Sequence, residues 1–175
     1  MATTENFSIA NGIIYGKASG VSATPADEIA EFIGDLILEA VFAGVERSEQ
    51  ERFVKDSYYG VGRVILTVRN LTFKPGIFNL VWAITYNAAD TLNDGATSAT
   101  SYTIRQSSKP QSIEILFQCI CTGNGLKLEI EAKKAVCPGL IIPFNKQLIA
   151  MEDLTFTCFA DANGDIVVVR KENAS

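Results

Sequence analysis

The chain contains no histidine. That single absence removes Ser-His-Asp and Cys-His catalysis, the commonest general base and the commonest metal ligand. Positive charge is also in short supply. Fifteen Lys and Arg stand against twenty Asp and Glu, a net charge of −5, whereas a protein that grips nucleic acid by neutralising phosphates needs clustered cations. Long hydrophobic runs are missing too. The longest apolar stretch, Leu36 to Val45, is interrupted by Glu39 and is far shorter than the ~20 residues that span a bilayer, so no membrane role is expected. Met1 to Asn6 carry neither a basic segment nor an apolar run, so no secretory signal is expected. No Gly-rich loop leads from a strand into a helix, which leaves nucleotide binding without a motif. Repeats and low-complexity segments are absent. The expectation is of no cofactor and no enzymatic activity.

What is present is an ordinary folding composition, 47% hydrophobic and 20% charged over 175 residues, enough to bury one core and short for two. We expect a single domain over 1–175. The four cysteines, Cys119, Cys121, Cys137 and Cys158, read as small buried hydrophobes with free thiols. Cys119 and Cys121 lie two apart, on one face of a strand, and lack the turn spacing of a zinc pair. Charge is unevenly distributed. Residues 1–51 carry nine acids and two bases, and residues 52–75 carry five bases and one acid, two blocks able to attract one another within or between subunits.

Strand signals dominate. Residues 7–15 are interrupted by Asn11-Gly12, a turn pair that suggests a short hairpin or a bent strand. From Thr24 the signals conflict. Thr24, Pro25 and Asp27 resemble a helix start, and Ile29, Phe32, Ile33, Leu36, Ile37 and Ala40 keep helical spacing over 25–43. Gly34 falls inside that run, and the stretch from about 35 also suits a buried strand. Residues 63–73 alternate as a half-exposed strand. Pro75-Gly76 ends it, and Ile77, Leu80, Val81 and Ile84 recur at helical spacing, predicting a short helix over 77–86. Residues 46–62 and 87–105 read as long polar loops. Strands at 111–121 and 126–134 flank Thr122 to Gly125, with Leu128, Ile130 and Ala132 opposing Glu129, Glu131 and Lys133. A hairpin is predicted from 154–160 and 165–170 around Asp161-Ala162-Asn163-Gly164. The fold class is mostly β, a sandwich or incomplete barrel with one short flanking helix.

Candidate chemistry is thin. Glu129/Glu131 and Glu152/Asp153 are carboxylate pairs, and strand neighbours at i and i+2 such as Glu129/Glu131 satisfy the distance of a glycosidase couple, but a solvated strand face accounts for them. Asp161-x-Asn163-x-Asp165 with Glu172 imitates a calcium loop, yet Ile166 occupies the position where that loop requires glycine, and strands rather than helices flank it. The 87–105 loop with Trp82 or Tyr86 would form the stacking site of a monomeric carbohydrate-binding β-sandwich, the alternative function. Trp82 reads better as core because its helical neighbours are apolar.

Several stretches together carry a resemblance. They are Gly125-Leu126-Lys127-Leu128-Glu129-Ile130, Ala132-Lys133-Lys134-Ala135, Leu140-Ile141-Ile142-Pro143-Phe144, Leu154-Thr155-Phe156 to Ala160-Asp161, and Gly164-Asp165-Ile166. Their pattern resembles the closing strands of bacteriophage major tail tube proteins. Earlier, Gly34 leading into an apolar strand, the strand at 63–73 and the helix ending near Asn87 are similar to the same family, and 87–105 compares least. The resemblance implies a β-sandwich with a flanking helix, a hexameric ring, and rings stacked into a hollow tube that passes tape-measure protein and then DNA. It further implies tail-completion proteins as partners, assembly in a bacterial cytoplasm, residence in the virion tail, and a strand rather than a helix from about 35. A DNA conduit should not bind its cargo, so an acidic lumen wall suits passage. Glu39, Glu129 and Glu131 are the candidate lumen-facing residues, and 46–62 and 87–105 the candidate contacts between rings.

Overall fold

The structure is a computed structural model and describes residues 9–47, 56–74, 76–121, 125–139 and 150–173. Among these residues the chain forms β1 (Ile9–Ala18), one turn of 3₁₀ helix (Pro25–Asp27), β2 (Glu28–Phe32), β3 (Leu36–Arg47) and β4 (Asp56–Phe73). There follow α1 (Gly76–Trp82), β5 (Thr85–Thr91), β6 (Ser98–Thr103), β7 (Ile113–Cys121), β8 (Lys127–Val136), β9 (Ala150–Cys158) and β10 (Val168–Lys171). Antiparallel neighbours run β8-β7-β1-β2-β4-β9 and back to β8, so six strands close into a barrel. The mostly β fold read from the sequence is present as a closed barrel with one short helix beside it.

Alternation along each strand sends one set of side chains inward. Ile14, Ala30, Leu66, Val68, Phe117, Ala132 and Phe156 are fully buried, and the rings of Phe117 and Phe156 meet edge-on with centroids 6.2 Å apart. α1 packs against β1 and β2. It buries Ile77, Phe78, Val81 and Trp82, and the Trp82 indole N–H donates to the Cys137 carbonyl at 3.1 Å. β5 and β6 pair only with each other, and Tyr102 of β6 packs edge-on against Phe78.

Two strands leave the barrel by the same device. β2 and β3 lie one after the other along a single edge of β4, whose other edge takes β9. The changeover falls at Gly34 and at Asn70, which has φ 54°; Ile33 N–H bonds Asn70 O and Arg69 N–H bonds Asp35 O, each at 3.1 Å. Likewise β9 and β10 share the edge of β8 that β7 does not occupy. β3 and β10 therefore overhang the barrel.

Several expectations are corrected here. The helical reading of 25–43 gives way to one 3₁₀ turn followed by two strands, and the strand expected from about 35 is β3. The capping signal is real, since Thr24 N–H and hydroxyl both bond Asp27 Oδ2, but it caps that turn alone, and twelve register pairs with β4 hold Leu36–Arg47 extended. Within the expected 46–62 loop the described residues are strand, because β3 continues to Arg47 and β4 begins at Asp56; 48–55 lies outside the described residues. The 87–105 loop holds the β5–β6 hairpin, its turn fastened by Asp94, which accepts from Ala96 N–H, Thr97 N–H and the Thr97 hydroxyl. The helix over 77–86 stops at Trp82, where Ala83 takes φ 53° and donates its N–H to Asn79 O. Of the two readings of Asn11-Gly12 the bent strand is the one that forms, since the pair lies at a bulge within β1 and not in a hairpin turn. Finally, β9 and β10 flank the turn at Asp161–Gly164 without pairing to each other.

Candidate functional site

Side chains on the outer face of β7 and β8 build the most connected polar cluster among the described residues. Glu114 is 2% exposed and Glu131 8%. Lys133 Nζ lies between them, donating to Glu131 and to Glu114 Oε1 at 3.3 Å. Arg170 of β10 pairs with the other Glu131 oxygen, and Glu114 also accepts the Ala23 N–H at 3.1 Å. Burial alone would raise the Glu131 carboxyl, but hydrogen bonds from Lys133 and Arg170, with their charges, outweigh it and hold the group below the usual carboxylate range. The bond to Glu131 is the main cause that raises the Lys133 ammonium. The chain Glu114–Lys133–Glu131–Arg170 thus fastens the loop after β1 and the short β10 to the barrel. Its charges compensate one another, which suits a latch better than a catalytic pair.

The three acids singled out from the sequence are not one group. Glu129 and Glu131 share the outer face of β8; Glu129 is half-buried and accepts from Gln118 Nε2 at 2.7 Å. Glu39 sits apart on β3, exposed, beside Ile65 of β4. Asp153 of the second carboxylate pair is exposed, 3.9 Å from Arg69. In the loop that imitates a calcium site, Asp161 Oδ1 accepts the N–H groups of Asn163 and Asp165, while the Glu172 carboxylate accepts from Lys127 N–H. Those acids are engaged in shaping the backbone. Cys119, Cys137 and Cys158 are buried thiols, and burial pushes Cys137 up to about 11 and Cys158 up to about 12. Trp82 is 5% exposed and Tyr86 packs against Tyr102 at 5.4 Å, so the sugar-stacking platform expected of them in the alternative is taken up by internal packing. Beside the start of β1, a recess of about 370 Å³ is lined by Ile13, Phe32, Ile33 and Ile120, with Glu31, Lys127 and Glu129 at its margin.

What sequence reasoning missed is the set of strand edges. β3 pairs with β4 alone, and its second edge carries no partner among the described residues. Apolar side chains stand exposed along and next to it: Ile33 is 71% exposed, Ile37 41% and Leu38 40%. Ile37 and Leu38 point to opposite faces, so both faces of this edge are apolar. On β10, Val169 is 53% exposed. The signal was available in Leu36 to Val45, an apolar run without alternation, which suits a strand covered on both faces. No family model and no curated protein matches the chain.

Proposed function

We propose that this chain is a structural subunit that works by assembling with copies of itself, and that the assembly is a tail tube: hexameric rings stacked into a hollow conduit for tape-measure protein and DNA. One observation carries the reading. A long, exposed, apolar edge strand is a template for pairing with another chain, and a protein that keeps one intact needs something to cover it. β3 is an edge strand twelve residues long, with Ile37 and Leu38 exposed on its two faces.

Other features support the tube over a simple dimer. β3 and β10 are two different edges on one molecule, so a contact from one to the other is head-to-tail and closes into a ring or continues as a filament. A net charge of −5 suits a conduit that lets phosphates pass. Glu129 remains the better lumen candidate, since Glu131 is matched by Lys133 and Arg170. The test is light scattering and negative-stain microscopy over a rising protein concentration. Rings or tubes are the expected result, and a strict monomer at every concentration overturns the reading.

A further inference from the structure

The direction of each strand constrains how the two open edges meet. Along the sheet order β10-β8-β7-β1-β2-β4-β3 every step is antiparallel. Six reversals bring β3 back to the direction of β10. A ring made by rotation about an axis along the strands preserves direction, so β3 of one copy would meet β10 of the next in parallel.

Side-chain chemistry gives the same answer independently. Leu38 is opposite Leu66 and Val169 opposite Ile130, both core residues, so Leu38 and Val169 are on inward faces. Ile37 and Glu39, like Val168 and Arg170, are therefore on outward faces. Placing Leu38 beside Val169 in parallel sets Ile37 beside Val168 and Glu39 beside Arg170. Apolar meets apolar on both faces, and acid meets base. The antiparallel arrangement about the same pair sets Glu39 against Val168 and Arg170 against Ile37. β9 offers a different edge, but it carries Glu152 and Asp153, which repel Glu39. Two β3 strands joined over Ile37–Glu39 give neither Glu39 carboxylate a cation from the neighbouring copy.

We propose that β3 of one copy and β10 of the next form a parallel strand pair, with Leu38 beside Val169 and Glu39 beside Arg170 across the subunit boundary. This rests on the self-assembly reading and specifies its contact. Arg170 then lies between Glu131 of its own chain and Glu39 of the neighbour, so the latch that holds β10 in place also presents the cation that the neighbour needs.

The test uses the full chain. Glu39→Lys should raise the protein concentration needed for assembly by about ten-fold or more, since like charges are brought together. The double variant Glu39→Lys/Arg170→Glu should restore assembly toward wild type. Because Arg170→Glu also removes a partner of Glu131, a second measurement stands apart from it. Leu38→Cys/Val169→Cys, both at exposed positions, should oxidise to a covalent ladder of dimer, trimer and higher species, while each single variant should not. If the wild type assembles but the ladder fails to form, or Leu38→Cys alone gives efficient dimers, this contact is wrong and the assembly reading stands. If the wild type never assembles, both fall.

Discussion

Gly12 shows how one missing side chain sets the local architecture. It pairs across the sheet with Phe32 and with Cys119, and a Cβ placed on it would lie 2.4 Å from the Phe32 ring and 2.7 Å from the Gln118 carbonyl oxygen. The ring of Phe32, 1% exposed, packs over the bare backbone. Asn11-Gly12 reads from sequence as a hairpin turn or a bend because glycine's commonest signal is conformational; here its use is close approach, which only the partner across the sheet reveals. Gly12→Ala should destabilise the chain by about 1–3 kcal/mol through overpacking. Denaturant titration checks this, and Phe32→Ala added to it should cost less than the sum of the two single changes, as residues in contact do.

At the scale of elements, β10 is a short piece, four residues on the ladder to β8 with Arg170 paired to Glu131. The Glu131 carboxyl titrates below its ordinary value of 4.5, so its contribution is complete above that pH and is lost as pH falls through the lowered value. Lys133 titrates above its ordinary 10.5, so its contribution is complete below that pH and is lost as pH rises through the higher value. The latch is thus fully charged between the two ordinary values. Glu131→Gln should cost about 1–3 kcal/mol near neutrality, the usual loss on breaking a buried charged hydrogen bond. The difference from wild type should narrow below pH 4.5, as thermal melts over a pH series would show. Elements with a clean local pattern, β7, β8 and the strand at 63–73, were legible in the sequence. Those decided by distant pairing were not. Residues 28–43 have apolar spacing that fits a helix, and only the ladders to β1 and β4, formed by residues 13 or more positions away, select extended chain. Glu131 likewise looked solvated, because the strand that covers it arrives from the far end of the sequence.

The whole molecule is tied together by contacts that join its helix to its barrel. Trp82, the only tryptophan, is clamped between α1 and the chain just past β8 through its bond to Cys137 O. Its emission should be blue-shifted in the folded state. It should also shift in the same denaturant range as the far-ultraviolet signal of the strands, as one cooperative unit requires. Two separated transitions would mean that α1 undocks before the barrel opens. The barrel with its short helix was within reach of composition and alternation. Its closure was not, because the seam between β8 and β9 rests on two register pairs, Ala135 with Cys158 and Val136 with Thr157.

β4 has a mechanical consequence. This 18-residue strand runs out of the barrel wall to form one side of the β3–β4 projection, so tension applied to that projection travels along a single continuous backbone into the wall. There it meets the ladder to β9, from Val64 to Thr72. Antiparallel hydrogen bonds lie across the strand, so a pull along β4 loads that ladder in shear, with its bonds sharing the strain together instead of parting one by one like a zip. The projection is anchored as a lever with its root sunk in the wall, suited to transmitting load between whatever it touches and the body of the subunit.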